Sequence, residues 1–288
     1  MYINRDISTM KVGVIGAGVM GRGIAQVSAM AGHSVVLFDI KHEMLEVAQK
    51  AIDSNLKKAI ELKKILKGEK EATQERIQFT NSIADVNVDL VIEAIIEKID
   101  IKLKLFNELA KINKENTIYA SNTSSIPLTK IAAGFKYPKK MIGIHFFNPA
   151  HIMKLVEVIR AEQTDAEVLD SATNFVSSIQ KRCIIAADSP GFIVNRVARH
   201  FYVEGLKILE ESVASHEVID ELIRSSGFKM GPFELMDLIG VETNLSVTES
   251  MYKLFNYDQK FRPNRIQQKK VQAGYFGRKS GQGFYSYD

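Results

Sequence analysis

Lys11-Val12-Gly13-Val14-Ile15-Gly16-Ala17-Gly18-Val19-Met20-Gly21 is the stretch from which the fold can be read. Its first half has the composition of a short buried parallel strand, and it runs without a linker into three glycines spaced Gly16-x-Gly18-x-x-Gly21. An amphipathic stretch over 19–30 follows. Strand, glycine turn and helix in immediate succession open a dinucleotide-binding βαβ unit. Gly16 makes the tight turn, Gly18 lets the backbone approach a pyrophosphate, and Gly21 lets the helix pack against the strand. The helix start at Val19 and Met20 offers unpaired N–H groups and the positive end of the macrodipole to the phosphates. A second strand, Ser34-Val35-Val36-Leu37-Phe38, ends at Asp39, eighteen residues after Gly21. That carboxylate accepts from ribose hydroxyls and repels a 2′-phosphate, which selects NAD over NADP, although Lys41 weakens the exclusion.

Strand-like and helix-like segments alternate to about residue 187, which predicts an α/β fold with a Rossmann-type, doubly wound, mostly parallel sheet. Further strands are expected at Asp89-Leu90-Val91-Ile92-Glu93-Ala94, Thr117-Ile118-Tyr119-Ala120 and Cys183-Ile184-Ile185-Ala186, with helices over 98–112 and 165–180. Asn122-Thr123-Ser124-Ser125 then forms a loop at the carboxyl end of a strand, where ligands of open α/β sheets bind. Asp188-Ser189-Pro190-Gly191 marks a boundary between domains over 1–187 and 188–288. Helical periodicity over 192–212, 216–226, 234–255 and 266–273 makes the second domain all-α.

Residues 42–76 are an excursion between the second strand and Ile77-Gln78-Phe79-Thr80. Leu45, Ala48, Ile52, Leu56, Ala59, Ile60 and Leu62 predict a long helix, followed by a lysine-rich turn around Gly68. Lys57, Lys58, Lys63, Lys64, Lys67 and Lys70 read either as the solvated face of a helix or as a clamp for a phosphorylated substrate tail.

Two other apolar runs, Met141-Ile142-Gly143-Ile144-His145-Phe146-Phe147 and Lys154-Leu155-Val156-Glu157-Val158-Ile159, each carry one ionisable residue in their interior. Such a group inside a strand costs several kcal/mol unless it has a partner, so His145 and Glu157 are expected to hydrogen-bond to each other. A carboxylate on one ring nitrogen fixes the tautomer and stabilises the imidazolium, the arrangement of an oriented general base. A structural histidine with a surface carboxylate at a strand end is the alternative.

Composition narrows the class. With 45% hydrophobic and 25% charged residues in 288, two domains can each have a core. A net charge of +4 fits a phosphate-bearing ligand, and no basic tract interleaved with aromatics marks a nucleic-acid surface. Cys183 is the only cysteine, so no internal disulfide forms and no metal is implied; it is expected in a strand. The start of the chain, with Arg5, Asp6 and Lys11, lacks the apolar core of a signal peptide, and no run of about eighteen apolar residues occurs. A cytoplasmic chain without a membrane segment is expected. Phe201, Leu206, Leu209 and Val213, with Leu238, Val241 and Leu245, serve either the core of the helical domain or a symmetric dimer.

The motif Gly16-Ala17-Gly18-Val19-Met20-Gly21 is followed in order by Ser121-Asn122-Thr123-Ser124-Ser125, His145-Phe146-Phe147-Asn148-Pro149 and Lys154-Leu155-Val156-Glu157-Val158. Then come Pro190-Gly191-Phe192-Ile193-Val194-Asn195-Arg196, Met230-Gly231-Pro232 and Gly277-Arg278-Lys279-Ser280-Gly281-Gln282-Gly283-Phe284-Tyr285. From Lys11 to its end the chain resembles the L-3-hydroxyacyl-CoA dehydrogenases, most nearly the short bacterial 3-hydroxybutyryl-CoA dehydrogenases. The resemblance implies an NAD-dependent oxidoreductase of fatty acid or butanoate metabolism. It would interconvert an (S)-3-hydroxyacyl-CoA, such as 3-hydroxybutyryl-CoA, and the 3-oxoacyl-CoA, as a homodimer paired through the helical domain. It implies His145 as base, Glu157 as its orienting carboxylate, and Ser124 and Asn195 near the reacting oxygens. By themselves those last two also read as a helix cap and a turn partner. Glu97 and Lys102 fall where the family contacts the dinucleotide, though both also read as first-turn helix charges, and Asn148 falls at the nicotinamide end. The 42–76 excursion matches the family's helical tail that meets coenzyme A, with Lys57 the candidate contact. His151, Phe228-Lys229 and Asn264-Arg265-Ile266-Gln267-Gln268 depart from the family pattern and bear on acyl specificity. A same-fold dehydrogenase of a free hydroxy acid or sugar acid, and a non-catalytic NAD-binding protein, are the competing readings.

Overall fold

The computed structural model describes residues 9–287, so Arg5 and Asp6 lie outside the described residues. The chain divides between Ser189 and Pro190 into two compact units. In the first, β1 (Lys11–Ile15), α1 (Val19–Met30) and β2 (Ser34–Phe38) lead into α2 (His42–Glu61), α3 (Lys67–Glu75) and β3 (Ile77–Thr80). The chain continues through β4 (Leu90–Glu93), α4 (Ile99–Ile112), β5 (Ile118–Ser121), α5 (Leu128–Ala133) and β6 (Met141–Phe146). It closes with β7 (Leu155–Arg160), α6 (Ala166–Ser178) and β8 (Arg182–Ala187).

The eight strands form one sheet in the order β3-β2-β1-β4-β5-β6-β7-β8, parallel throughout except where β7 runs antiparallel to β6. Chain order reverses between β1 and β4, and the crevice at such a switch point is where doubly wound sheets take ligands. Central strands covered on both faces are apolar along most of their length, hence the runs in β4 and β6, all of whose residues are buried and which only Glu93 and His145 interrupt. Val14, Leu37, Ile92, Ile144 and Val158 form the core with Ile24 of α1 and Phe175 of α6. Cys183 stands in β8, as expected.

Two expectations need correction. The turn of the 42–76 excursion is not at Gly68, which lies inside α3; the chain turns over 62–66, with Lys63 at φ 55°. The backbone N–H of Leu66 donates to Glu69 at 2.6 Å and starts α3 there, ahead of Gly68.

The second unit consists of α7 (Val194–Glu210), α8 (His216–Ser225), α9 (Pro232–Ile239), α10 (Val241–Leu254) and α11 (Arg265–Gln272). The single helix expected over 234–255 is two, because Gly240 sits at φ +104°, a conformation that ends a right-handed helix. Buried carboxylates from distant positions organise this unit. Asp220 accepts from the N–H groups of Phe233 and Glu234 at 3.0 and 2.8 Å and so caps α9. Asp237 accepts from the N–H groups of Phe284 and Tyr285, both at 2.9 Å, and pins the glycine-rich tail. A Cβ on Gly231 would lie 2.2 Å from Asp220 Oδ1, and one on Gly283 2.1 Å from Asp237 Oδ1. Glycine at these two motif positions is therefore structural. Among the described residues no helix is long and apolar enough to cross a membrane.

His33 is a buried tie that the sequence did not single out. Its Nδ1 accepts from the Met10 N–H at 3.1 Å, and Nε2 donates to Ser178 Oγ at 2.7 Å, whose own proton goes to the Phe175 carbonyl at 2.6 Å. Both ring nitrogens are committed in the neutral form, and burial lowers the imidazole's pKa below its ordinary 6.5. The unfolded chain takes up this proton more readily. The stability His33 contributes is therefore intact above the unfolded value and lost as pH falls from there through the folded one. Urea midpoints measured on either side of that window should fall more steeply in the wild type than in His33→Asn; parallel slopes would show that His33 has no such role.

Candidate active site

The glycine turn has the shape its sequence demands. Gly16, at φ +101°, donates its N–H to the Phe38 carbonyl at 2.8 Å, and a Cβ there would meet the Ala94 carbonyl oxygen at 2.7 Å. A Cβ on Gly21 would lie only 1.7 Å from the Gly16 carbonyl oxygen, so helix and turn touch there. At Gly18 a Cβ would meet no described atom within 4 Å, which leaves the backbone bare toward the helix start at Val19 and Met20. Asp39 closes the turn, accepting from the N–H of Ala17 at 2.8 Å and of Lys41 at 3.0 Å. A cleft of about 800 Å³ runs past Gly16, Gly18, Phe38, Asp39 and Lys104. Bare backbone donors at a helix N-terminus, beside a carboxylate at the end of β2, form a cradle for a dinucleotide.

At the carboxyl end of β4 a second group of charges converges. Glu93 is fully buried and accepts from Lys102 Nζ at 2.6 Å, Ser121 Oγ at 2.6 Å and the Ile95 N–H at 2.8 Å. Lys102, 1% exposed, also pairs with Glu97 at 3.0 Å. The second oxygen of Glu97 accepts from the Thr123 hydroxyl and from the N–H groups of Ser124 and Ser125 at 3.1 and 3.3 Å. Burial opposes the Glu97 charge, but Lys102 and these hydrogen bonds outweigh it and hold the carboxyl below its ordinary range. Lys102 is thus no surface charge. It lies between two carboxylates, one anchored in the sheet and one holding the Ser124 loop. The same loop is tied to β6 by Asn122 Oδ1, which accepts from the Phe146 N–H at 2.8 Å.

One residue before Phe146 stands His145. It is cross-strand neighbour to Glu157 in the antiparallel β6–β7 pair, so the register itself sets imidazole against carboxylate. Nδ1 lies 2.8 Å from Glu157 Oε2; His145 is 5% exposed and Glu157 fully buried. The Phe147 ring packs edge-on against the imidazole at 4.6 Å. A carboxylate can only accept, so Nδ1 carries the proton.

Comparison with known proteins decides what this site belongs to. A family profile described as "3-hydroxyacyl-CoA dehydrogenase, NAD binding domain" matches residues 11–189, and one for the C-terminal domain of the same family matches 191–287. The chain belongs to the 3-hydroxyacyl-CoA dehydrogenase family. It is 44% identical over 98% of its length to the 3-hydroxyadipyl-CoA dehydrogenase of Escherichia coli, of which it spans only 60%. It is 40% identical to the 3-hydroxybutyryl-CoA dehydrogenase of Bradyrhizobium diazoefficiens, covering 96% of this chain and 95% of that one. The solved structure of (S)-3-hydroxybutyryl-CoA dehydrogenase from Ralstonia eutropha superposes with a TM-score of 0.93 at 39% identity, covering 98% of this chain and all of that one.

As a member of the 3-hydroxyacyl-CoA dehydrogenase family the chain uses NAD, and the open backbone at Gly18 beside Asp39 fits that cofactor. The structure brings His145 together with Glu157, and Glu97 and Lys102 together with the Ser124 loop. Asn148 is exposed in the turn after β6, and Asn195 is partly buried in the first turn of α7, in the second unit. Lys57 stands on α2 and pairs with Asp53 at 2.7 Å; hydrogen bonds from Lys57 and Lys70 hold the Asp53 carboxyl down at about 2. Glu93 is the site residue that sequence reading missed. The signal was present, since it is a carboxylate ending an apolar strand in the same way as Glu157 interrupts one.

Proposed function

We propose that the chain catalyses the NAD-dependent interconversion of (S)-3-hydroxyacyl-CoA and 3-oxoacyl-CoA, with 3-hydroxybutyryl-CoA the simplest substrate of the class. The observation that carries this reading is the buried His145–Glu157 pair on adjacent strands. With Nδ1 committed to Glu157, the C3 hydroxyl proton goes to Nε2 as oxidation proceeds, and Glu157 stabilises the imidazolium that forms. Bound NAD supplies the hydride acceptor at its nicotinamide C4. In reduction the imidazolium returns the proton to the C3 oxygen. Ser124 and Asn195 donate hydrogen bonds to that oxygen as its charge develops. Lys102, anchored on Glu93, holds Glu97 and through it the Ser124 loop against the dinucleotide, and Asn148 meets its nicotinamide end. Lys57 and its neighbours on α2 meet the coenzyme A phosphates. The chain works in the cytoplasm as a homodimer paired through its helical unit.

Glu157→Gln tests the pair. Glutamine keeps the shape of the side chain but cannot stabilise the imidazolium, so kcat should fall by about 10²-fold or more while NADH affinity is retained. Wild-type turnover in that variant would make Glu157 a structural residue and remove the main support for this function.

A further inference from the structure

Four residues after Asn195 on α7 stands Arg199, on the same helix face one turn further into the helical unit. Asn195 is partly exposed, whereas Arg199 is 3% exposed, and Tyr202 and Leu206 continue this buried face. No carboxylate among the described residues pairs with the Arg199 guanidinium. Its three hydrogen bonds all leave from Nη1: to the Asn244 carbonyl at 2.8 Å, Asn244 Oδ1 at 3.1 Å and Thr248 Oγ1 at 2.7 Å. The Tyr202 ring lies 5.0 Å from the guanidinium carbon, and Nε is buried with no hydrogen-bond partner among the described residues. Gln267 extends the cluster, donating to Asn244 Oδ1 at 3.0 Å, and its own Oε1 is likewise buried with no partner among the described residues.

An ionised group buried without a counter-charge costs several kcal/mol, and a tie between α7 and α10 could be made as well by apolar side chains. The unfilled atom is informative. Nε and Nη2 form the edge of a guanidinium that grips a carboxylate through two parallel hydrogen bonds, and the described residues supply acceptors only to Nη1. Burial lowers the Arg199 pKa to about 10, which leaves the side chain charged at neutral pH. Asn244, Thr248 and Gln267 make the surroundings polar where a plain alkyl chain calls for hydrocarbon.

We propose that Arg199 receives a carboxylate at the far end of the acyl chain, so that the preferred substrate is the coenzyme A half-thioester of a 3-hydroxy dicarboxylic acid. This deepens the proposed function and rests on its reading of Asn195 as a contact of the C3 oxygen. Four residues of helix rise about 6 Å, the span of a short saturated chain between C3 and a terminal carboxylate.

The test compares kcat/KM for 3-oxoadipyl-CoA and 3-oxohexanoyl-CoA, which share a chain length and differ in the terminal carboxylate, with acetoacetyl-CoA as a third substrate. The wild type should favour the carboxylated thioester over its neutral counterpart by about 10²-fold or more, and Arg199→Leu should cut that ratio at least about tenfold. A wild-type ratio at or below unity overturns the proposal, as does a ratio that Arg199→Leu leaves unchanged. If the leucine variant does not fold, the wild-type ratio decides. Turnover of acetoacetyl-CoA with no preference for the carboxylate sinks this inference alone; no turnover of any of the three sinks the dehydrogenase reading, and this inference with it.

Discussion

Replacing His145 with glutamine should lower kcat by about 10²- to 10⁴-fold and leave NADH affinity close to that of the wild type. The residue lies in β6 with its imidazole held by Glu157 across the strand pair, while the dinucleotide cleft is lined by the ends of β1, β2 and β4. Glutamine can still donate to Glu157, so the buried carboxylate keeps a partner and the strands keep their register. What it lacks is a basic nitrogen. Pre-steady-state hydride transfer, measured with NADH bound, isolates that loss from substrate binding. Hydride transfer at the wild-type rate would mean that another group moves the proton, and the assignment of His145 would fall.

Gly21→Ala should disable cofactor binding and destabilise the fold together. The new Cβ would lie 1.7 Å from the Gly16 carbonyl oxygen, a backbone atom in the turn itself, so α1 and the turn must separate. Overpacking of this kind costs about 1–3 kcal/mol, and it moves the helix N-terminus away from the place where phosphates sit. Gly18→Ala is the informative contrast. A Cβ there meets no described atom within 4 Å and φ is −64°, so that variant should fold with its stability intact. It should nonetheless lose at least about tenfold in NADH affinity, because the methyl group stands where the pyrophosphate approaches the backbone. Tm and NADH Kd measured on both variants separate the two roles; a Gly21→Ala protein with wild-type Tm and Kd would contradict the account of this turn.

What the sequence made legible was local. Residues 11–21 and Asp39 carry strand, turn, helix and terminal acid within one βαβ unit, each set by the residues at hand. His145 and Glu157 were legible because each interrupts an apolar run and the two runs are near neighbours in sequence. Glu93 interrupts a run in the same way, but its partners Lys102 and Ser121 come from a helix and a separate strand, and on α4 a lysine looks like a surface charge until the packing is known. Gly240 escaped for another reason. Apolar periodicity continues across it, and a positive φ leaves no mark on the pattern of its neighbours. The tail from Gly277 to Tyr285 stood out as a motif, yet its cause, the carboxylate of Asp237, lies 47 residues before Phe284 and works through backbone N–H groups.

The most direct test of the central claim is the initial rate of NADH consumption with acetoacetyl-CoA, run beside free acetoacetate with NADH and acetoacetyl-CoA with NADPH. Rapid turnover that requires both the coenzyme A thioester and NADH is the predicted result. Turnover of the free acid at a comparable rate, or none with the thioester, would contradict it.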